Sequence, residues 1–165
     1  MSVNRFKKHL IILPEDDGIR QVVNGFLTDI SVDAGCVDVR RVAGGWIKTK
    51  DAVARDLRGR MTQYPNAHLL VLVDLDTDIG RVDHLLEVAP AEYRDRVYVL
   101  GIKGESEDLR RDFGMSLESI GKEIATGCVS DVFDVWNHDR LSANGKELRR
   151  IRNSVRPFLV DPGRR

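Results

Sequence analysis

A three-layer α/β/α fold around a mainly parallel sheet of about four strands follows from three features of the sequence. Short apolar runs, His9-Leu10-Ile11-Ile12-Leu13 and Leu69-Leu70-Val71-Leu72-Val73, are bounded by turn-forming residues and read as buried strands. Stretches of helical periodicity alternate with them, which is the pattern of βαβ units. Two acidic clusters, Glu15-Asp16-Asp17 and Asp74-Leu75-Asp76-Thr77-Asp78, directly follow two of the runs. Parallel strands bring their carboxyl ends to one sheet edge, the usual ligand crevice, so the clusters are expected to meet there.

The elements follow in order. The first strand is expected over 8–13. A helix over 18–29 places Ile19, Val22, Val23, Phe26, Leu27 and Ile30 at helical spacing. Partial alternation gives a second strand over 36–42, and Gly44-Gly45-Trp46 turns the chain into a helix over 49–63, stopped near Tyr64-Pro65-Asn66. The 69–73 strand precedes a short helix over 81–88 that ends before Pro90. A fourth strand is expected over 96–101 and a helix over 105–113. Ser116 caps the next helix, with Gly127 at its end. The last helix spans 139–155, and the apolar end of Arg156-Pro157-Phe158-Leu159-Val160 docks back on the sheet. Nothing resembling a linker divides the chain, so residues 1–103 form the α/β core and 104–165 a helical extension of the same domain.

The totals exclude several classes. With 165 residues, 42% hydrophobic and 32% charged, the chain has the material for one folded core and is no disordered segment. A formal net charge of zero provides no global field for nucleic acid or an anionic membrane. No apolar stretch reaches the length of a membrane span, so no membrane partner is expected. Cys36 and Cys128 lack the spacing of a zinc site or a disulfide framework, and the expected location is the cytoplasm.

Carboxylates crowded at one sheet edge repel, and a hard divalent cation, Mg²⁺ or Mn²⁺, is the simplest remedy. Asp16 or Asp17 also fits as the cap of the first helix, but a cap explains neither Glu15 nor the second cluster. If the third strand continues through Asp76, alternation puts Asp74 and Asp76 on one side, able to share an ion. An EF-hand loop is excluded because Ile79 and Leu85 occupy its Gly and Glu positions.

Glu15 at the end of the first strand and Asp74-Leu75-Asp76 at the end of the third resemble the signature of the Toprim domain, the catalytic module of topoisomerases, bacterial primases and OLD-family nucleases. The resemblance covers roughly residues 8–103, and the chain as a whole is similar to small stand-alone bacterial Toprim-like proteins through Leu13-Pro14-Glu15-Asp16-Asp17, Gly44-Gly45-Trp46, Val99-Leu100-Gly101 and Trp136-Asn137-His138. The Gly that often follows the Toprim Glu is replaced by Asp16.

That resemblance implies Glu15, Asp74 and Asp76 as catalytic and metal-binding residues, with Asp78 and Asp16 as further ligands and Lys103 as a phosphate contact. The implied activity is Mg²⁺-dependent hydrolysis of a nucleic-acid phosphodiester, carried out with a partner ATPase. The tyrosines lack the setting of a topoisomerase nucleophile. A second resemblance, to response-regulator receivers, would make Asp74 a phosphoacceptor and Lys103 its phosphate-binding lysine. The third alternative is a Toprim-shaped interaction module without turnover. Arg140, Lys146, Arg149, Arg150, Arg152 and Arg156 form the one basic patch, read chiefly as a solvated helix face.

Overall fold

The computed structural model describes residues 2–132 and 134–164. Four parallel strands, β1 (His9–Pro14), β2 (Val37–Val39), β3 (Ala67–Asp76) and β4 (Val97–Lys103), form one sheet in the order β2-β1-β3-β4. The chain steps from β1 outward to β2, then returns across β1 to β3, so the direction of winding reverses between the two central strands. Crevices in such sheets open at that reversal, beyond the carboxyl ends of the strands.

Both faces of the central strands are covered, which explains their unbroken apolar runs. Ile11, Leu13, Leu69, Val71, Val73, Val97 and Val99 point to one layer, built by α2 (Trp46–Asp56) and α3 (Arg81–Val88). Leu10, Ile12, Leu70, Tyr98 and Leu100 point to the other, built by α1 (Asp17–Phe26), α5 (Leu117–Ser130), α6 (Gly145–Ser154) and the single turn α7 (Arg156–Leu159). α4 (Ser106–Phe113) closes the end of that layer through Leu109, against Ile19, Leu117 and Ile120. α1 and α5 cross at backbone contact. A Cβ on Gly25 would lie 1.9 Å from the Glu118 carbonyl oxygen, and one on Gly121 would lie 2.0 Å from that of Val22.

The free edge of β4 is sealed by side chains. Arg150 donates to the Val97 carbonyl, Glu147 accepts from the Val99 N–H, and Asn144 both accepts from Gly101 N–H and donates to its carbonyl, each at 2.8–3.0 Å. Arg140 completes the row: its backbone carbonyl accepts from Lys103 N–H and its guanidinium donates to the Lys103 carbonyl. Unpaired edges invite association, and here polar side chains take the place of a fifth strand.

Several boundaries differ from the sequence expectation for physical reasons. β2 is only three residues long. α2 begins at Trp46, and a π-helical turn over Leu57–Met61 extends it. α5 runs past Gly127 and ends at Asp131, whose left-handed φ of +60° terminates the helix in a glycine's place. The helix expected over 139–155 is a 3₁₀ turn, Ser142–Asn144, followed by α6, with the Asn144 side chain committed to the β4 edge. The Arg156–Val160 segment does dock back: Leu159 and Val160 are buried, and Val160 bridges Val32. No helix among the described residues is long and apolar enough to cross a membrane.

Candidate functional site

Glu15 directly follows β1 and Asp74 lies near the end of β3, so the two central strands deliver both carboxylates to the reversal point. The ladder fixes them there. Glu15 N–H donates to the Leu72 carbonyl at 3.0 Å, and Glu15 Oε2 accepts from Asp74 N–H at 2.9 Å. Both residues are only 7% exposed. Asp16 serves two neighbours. Its Oδ1 accepts from Ile19 N–H at 2.8 Å, capping α1, and its carboxyl also lies in hydrogen-bonding contact with that of Asp74. Asp74 Oδ1 is buried without any hydrogen-bond partner among the described residues.

Asp76 departs from the alternation expected of it. A bulge between Asp74 and Asp76 puts Leu75 into the core layer against Gly101, where a Cβ would lie 2.6 Å from the leucine side chain. Asp76 takes a left-handed φ of +48°, a conformation Asp tolerates better than most residues. Its backbone then exchanges hydrogen bonds with Gly104, tying the end of β3 to the loop before α4. The Asp76 carboxylate pairs with Arg81 Nη2 at 2.9 Å, while Arg81 Nη1 donates to the Asp74 carbonyl at 2.9 Å. The guanidinium lies 4.8 Å from the centre of the Trp46 ring. Gly44 N–H donates to the Glu15 carbonyl at 2.8 Å, so the glycine turn that positions Trp46 is anchored on Glu15 itself.

Above these residues lies an open cleft of about 590 Å³ between the N-termini of α1 and α4. Glu15, Asp16, Asp17, Asp74, Asp76, Glu105 and Glu107 line it with Gly18, Gln21 and Ser106, and no basic side chain is among them. Gly18 permits the closeness of the two helices, since a Cβ there would fall 2.2 Å from Ser106 Oγ. Burial, then the charge of Asp16 and contact with it, then Glu15 and Asp76, push the Asp74 carboxyl up to about 8. Burial also raises Glu15, opposed by the Asp74 N–H and by Arg81.

The structure thus brings Glu15, Asp16, Asp74 and Asp76 to one cleft. Asp78 and Lys103 are not among its lining residues. Asp78 Oδ1 accepts from Gly80 N–H at 2.9 Å in the turn before α3, and Lys103 Nζ pairs with exposed Asp139 at 3.2 Å. Arg81 was not singled out by the sequence. Its only signal there is its place as first residue of the helix after the acidic run.

The donor set suits a hard cation: oxygen donors dominated by carboxyl groups, with Gln21 and Ser106 beside them, and one carboxyl oxygen buried and unpartnered among the described residues. In the geometry described, the fit is partial. Asp76 is occupied by Arg81, and among the described residues no three His, Cys, Asp or Glu side chains are placed so that they could hold a metal ion together. Fold and site together define the class as a three-layer α/β/α domain with an acidic cleft at its point of strand reversal. No family model matches the chain, and neither the curated proteins nor the solved structures contain a significant match.

Proposed function

We propose that this chain is a Mg²⁺- or Mn²⁺-dependent Toprim-like phosphodiesterase that cleaves nucleic acid in the cytoplasm together with a partner ATPase. The observation that carries the reading is Asp74: a buried carboxyl beside Glu15 and Asp16 at the cleft, with one oxygen that no described residue satisfies. A purely structural carboxylate would have its oxygens paired.

Glu15, Asp74 and Asp16 would hold the ion, with Asp76 joining once released from Arg81. A bound ion would polarise the scissile phosphodiester and lower the pKa of an attacking water. Burial raises the proton affinity of Glu15, the direction that suits a group exchanging a proton in catalysis. Arg81 does not line the cleft but pairs with Asp76, which does, so its guanidinium would be free to meet phosphate oxygens only if Asp76 turned away.

Electrostatics supports the partner in this reading. Seven carboxyl groups line the cleft, and the basic C-terminal segment is largely spent on the fold. Arg140 and Arg150 seal the β4 edge, Arg152 pairs with Asp131, and Arg156 donates to the Cys128 carbonyl. Phosphate neutralisation must therefore come mostly from elsewhere. The Asp76–Arg81 pair favours a second reading, a Toprim-shaped interaction module without turnover.

Cleavage of plasmid and single-stranded DNA and RNA, with Mg²⁺ or Mn²⁺, separates the two. Metal-dependent cleavage that falls about 100-fold or more in Asp74→Ala and Glu15→Ala supports the enzyme. Absence of cleavage with every substrate, with and without candidate ATPases, or cleavage that persists in both variants, contradicts it.

A further inference from the structure

The sheet face under α1, α5 and α6 has an unfilled interior. Leu72 lies in the middle of a central strand yet is only half-buried, while its neighbours Val71 and Val73 on the opposite face are sealed. α1 and α5 are locked together through Gly25 and Gly121, and α6 is held at the β4 edge, so side chains alone roof the sheet between them. Beneath that roof is a cavity of about 130 Å³ whose walls present apolar atoms, from residues that include Phe26, Leu70, Leu72, Leu100, Ile124 and Leu148, with Arg156 also at its border. A smaller void of about 50 Å³ adjoins it through Leu72, Leu100 and Trp136. Apolar cavities of about 150 Å³ accept a benzene ring, and leaving one empty is destabilising.

Trp136 and Leu148 also line a vestibule of about 290 Å³ that opens to solvent beside Asn137, Ser142, Arg149 and Arg152. Trp136 therefore borders all three spaces, and its indole N–H is buried with no hydrogen-bond partner among the described residues. A carbon-lined chamber, an unpartnered N–H on a residue that borders it, and the guanidinium of Arg149 at the vestibule suit an amphiphile with an anionic head. None of the residues bordering these spaces lines the acidic cleft.

We infer that this chain binds a medium-chain fatty carboxylate. The alkyl chain fills the apolar cavity and its extension, and the carboxylate accepts from the Trp136 indole N–H at the vestibule, facing Arg149 and Arg152. Arg152 already pairs with Asp131, so Arg149 is the better probe of the head group.

Calorimetric titration of the full chain with straight-chain carboxylates from butanoate to dodecanoate, all below their micelle thresholds, tests this. Saturable 1:1 binding is expected, tightest at about eight carbons, which matches the chamber size. Octanol should bind at least tenfold more weakly than octanoate, and Arg149→Glu should weaken octanoate by a similar factor. Leu148→Phe should fill the chamber and abolish binding. Three results would overturn the inference: no saturable binding at any length, affinity that climbs steadily through dodecanoate regardless of Leu148→Phe, or octanol binding as tightly as octanoate. The chain-length series needs only the natural protein, so a poorly folding variant leaves the test intact.

Discussion

Two carboxylates are buried to almost the same degree in this protein and live in opposite circumstances. Glu147, 4% exposed, stands at the β4 edge with both oxygens within 3.0 Å of Arg150 Nη1, and Oε2 also accepts from Val99 N–H. Asp74, 7% exposed, stands at the carboxyl end of β3 among Glu15, Asp16 and Asp76, with Oδ1 unpartnered. The first charge is compensated by a guanidinium and an amide, so the fold depends on it. The second faces other carboxyl groups and holds its proton instead of a charge, so the fold keeps it at a cost that grows as pH rises. Burial alone does not mark a functional group; burial without satisfaction does.

The largest effect expected from this contrast is at Glu147. Glu147→Ala leaves the Val99 N–H without its acceptor and the Arg150 guanidinium without its counter-charge, a loss of about 3–5 kcal/mol. A thermal melt should fall by roughly 10 °C, at about 2–4 °C per kcal/mol for a chain of this size. Little change in the melt would mean that the β4 edge is not held as described.

At Asp74 the sign should reverse. Asp74→Asn removes a charge that its neighbours oppose and supplies an amide N–H that Asp16 can accept. Asp74 keeps its proton in the fold up to about pH 8, whereas in the unfolded chain it ionises near about pH 4. Across that window the unfolded state has released the proton and the folded state has not, so wild-type stability falls as pH rises. Below about pH 4 both states are protonated and this cost disappears. The variant should therefore gain about 1–3 kcal/mol over wild type at pH 8 and almost nothing near about pH 4, read from denaturant midpoints at both values. A variant less stable than wild type at pH 8 would make Asp74 a structural residue like Glu147.

The same contrast explains what could be read from the sequence. Apolar runs bounded by turns identified β1 and β3 because central parallel strands are buried on both faces, leaving no alternation to confuse the pattern. α3 coincides with its expected span, since Gly80 and Pro90 bracket it. Glu15 and Asp74 were legible as neighbours because both follow directly from strand order at one edge.

Asp76 was not legible as observed. Alternation placed it beside Asp74, but the bulge that diverts it depends on Leu75 entering a space that Gly101 leaves open on another strand. Asn144, Glu147 and Arg150 were equally hidden. In sequence they belong to a charged helix, and only the fold reveals that they replace a missing strand. The arginines read as a solvated face are instead largely hydrogen-bonded to backbone carbonyls or paired with acids. Long-range contacts of this kind leave no local trace.

The central claim is that Asp74 is left unsatisfied because a divalent cation completes it. Its most direct test is calorimetric titration of Mn²⁺ into the wild-type chain at about pH 8, beside Asp74→Asn and Glu15→Gln. Saturable binding in wild type that weakens at least tenfold in each variant, with a thermal melt raised by metal in wild type alone, is the predicted result. Equal binding in all three, or none in wild type, would contradict it.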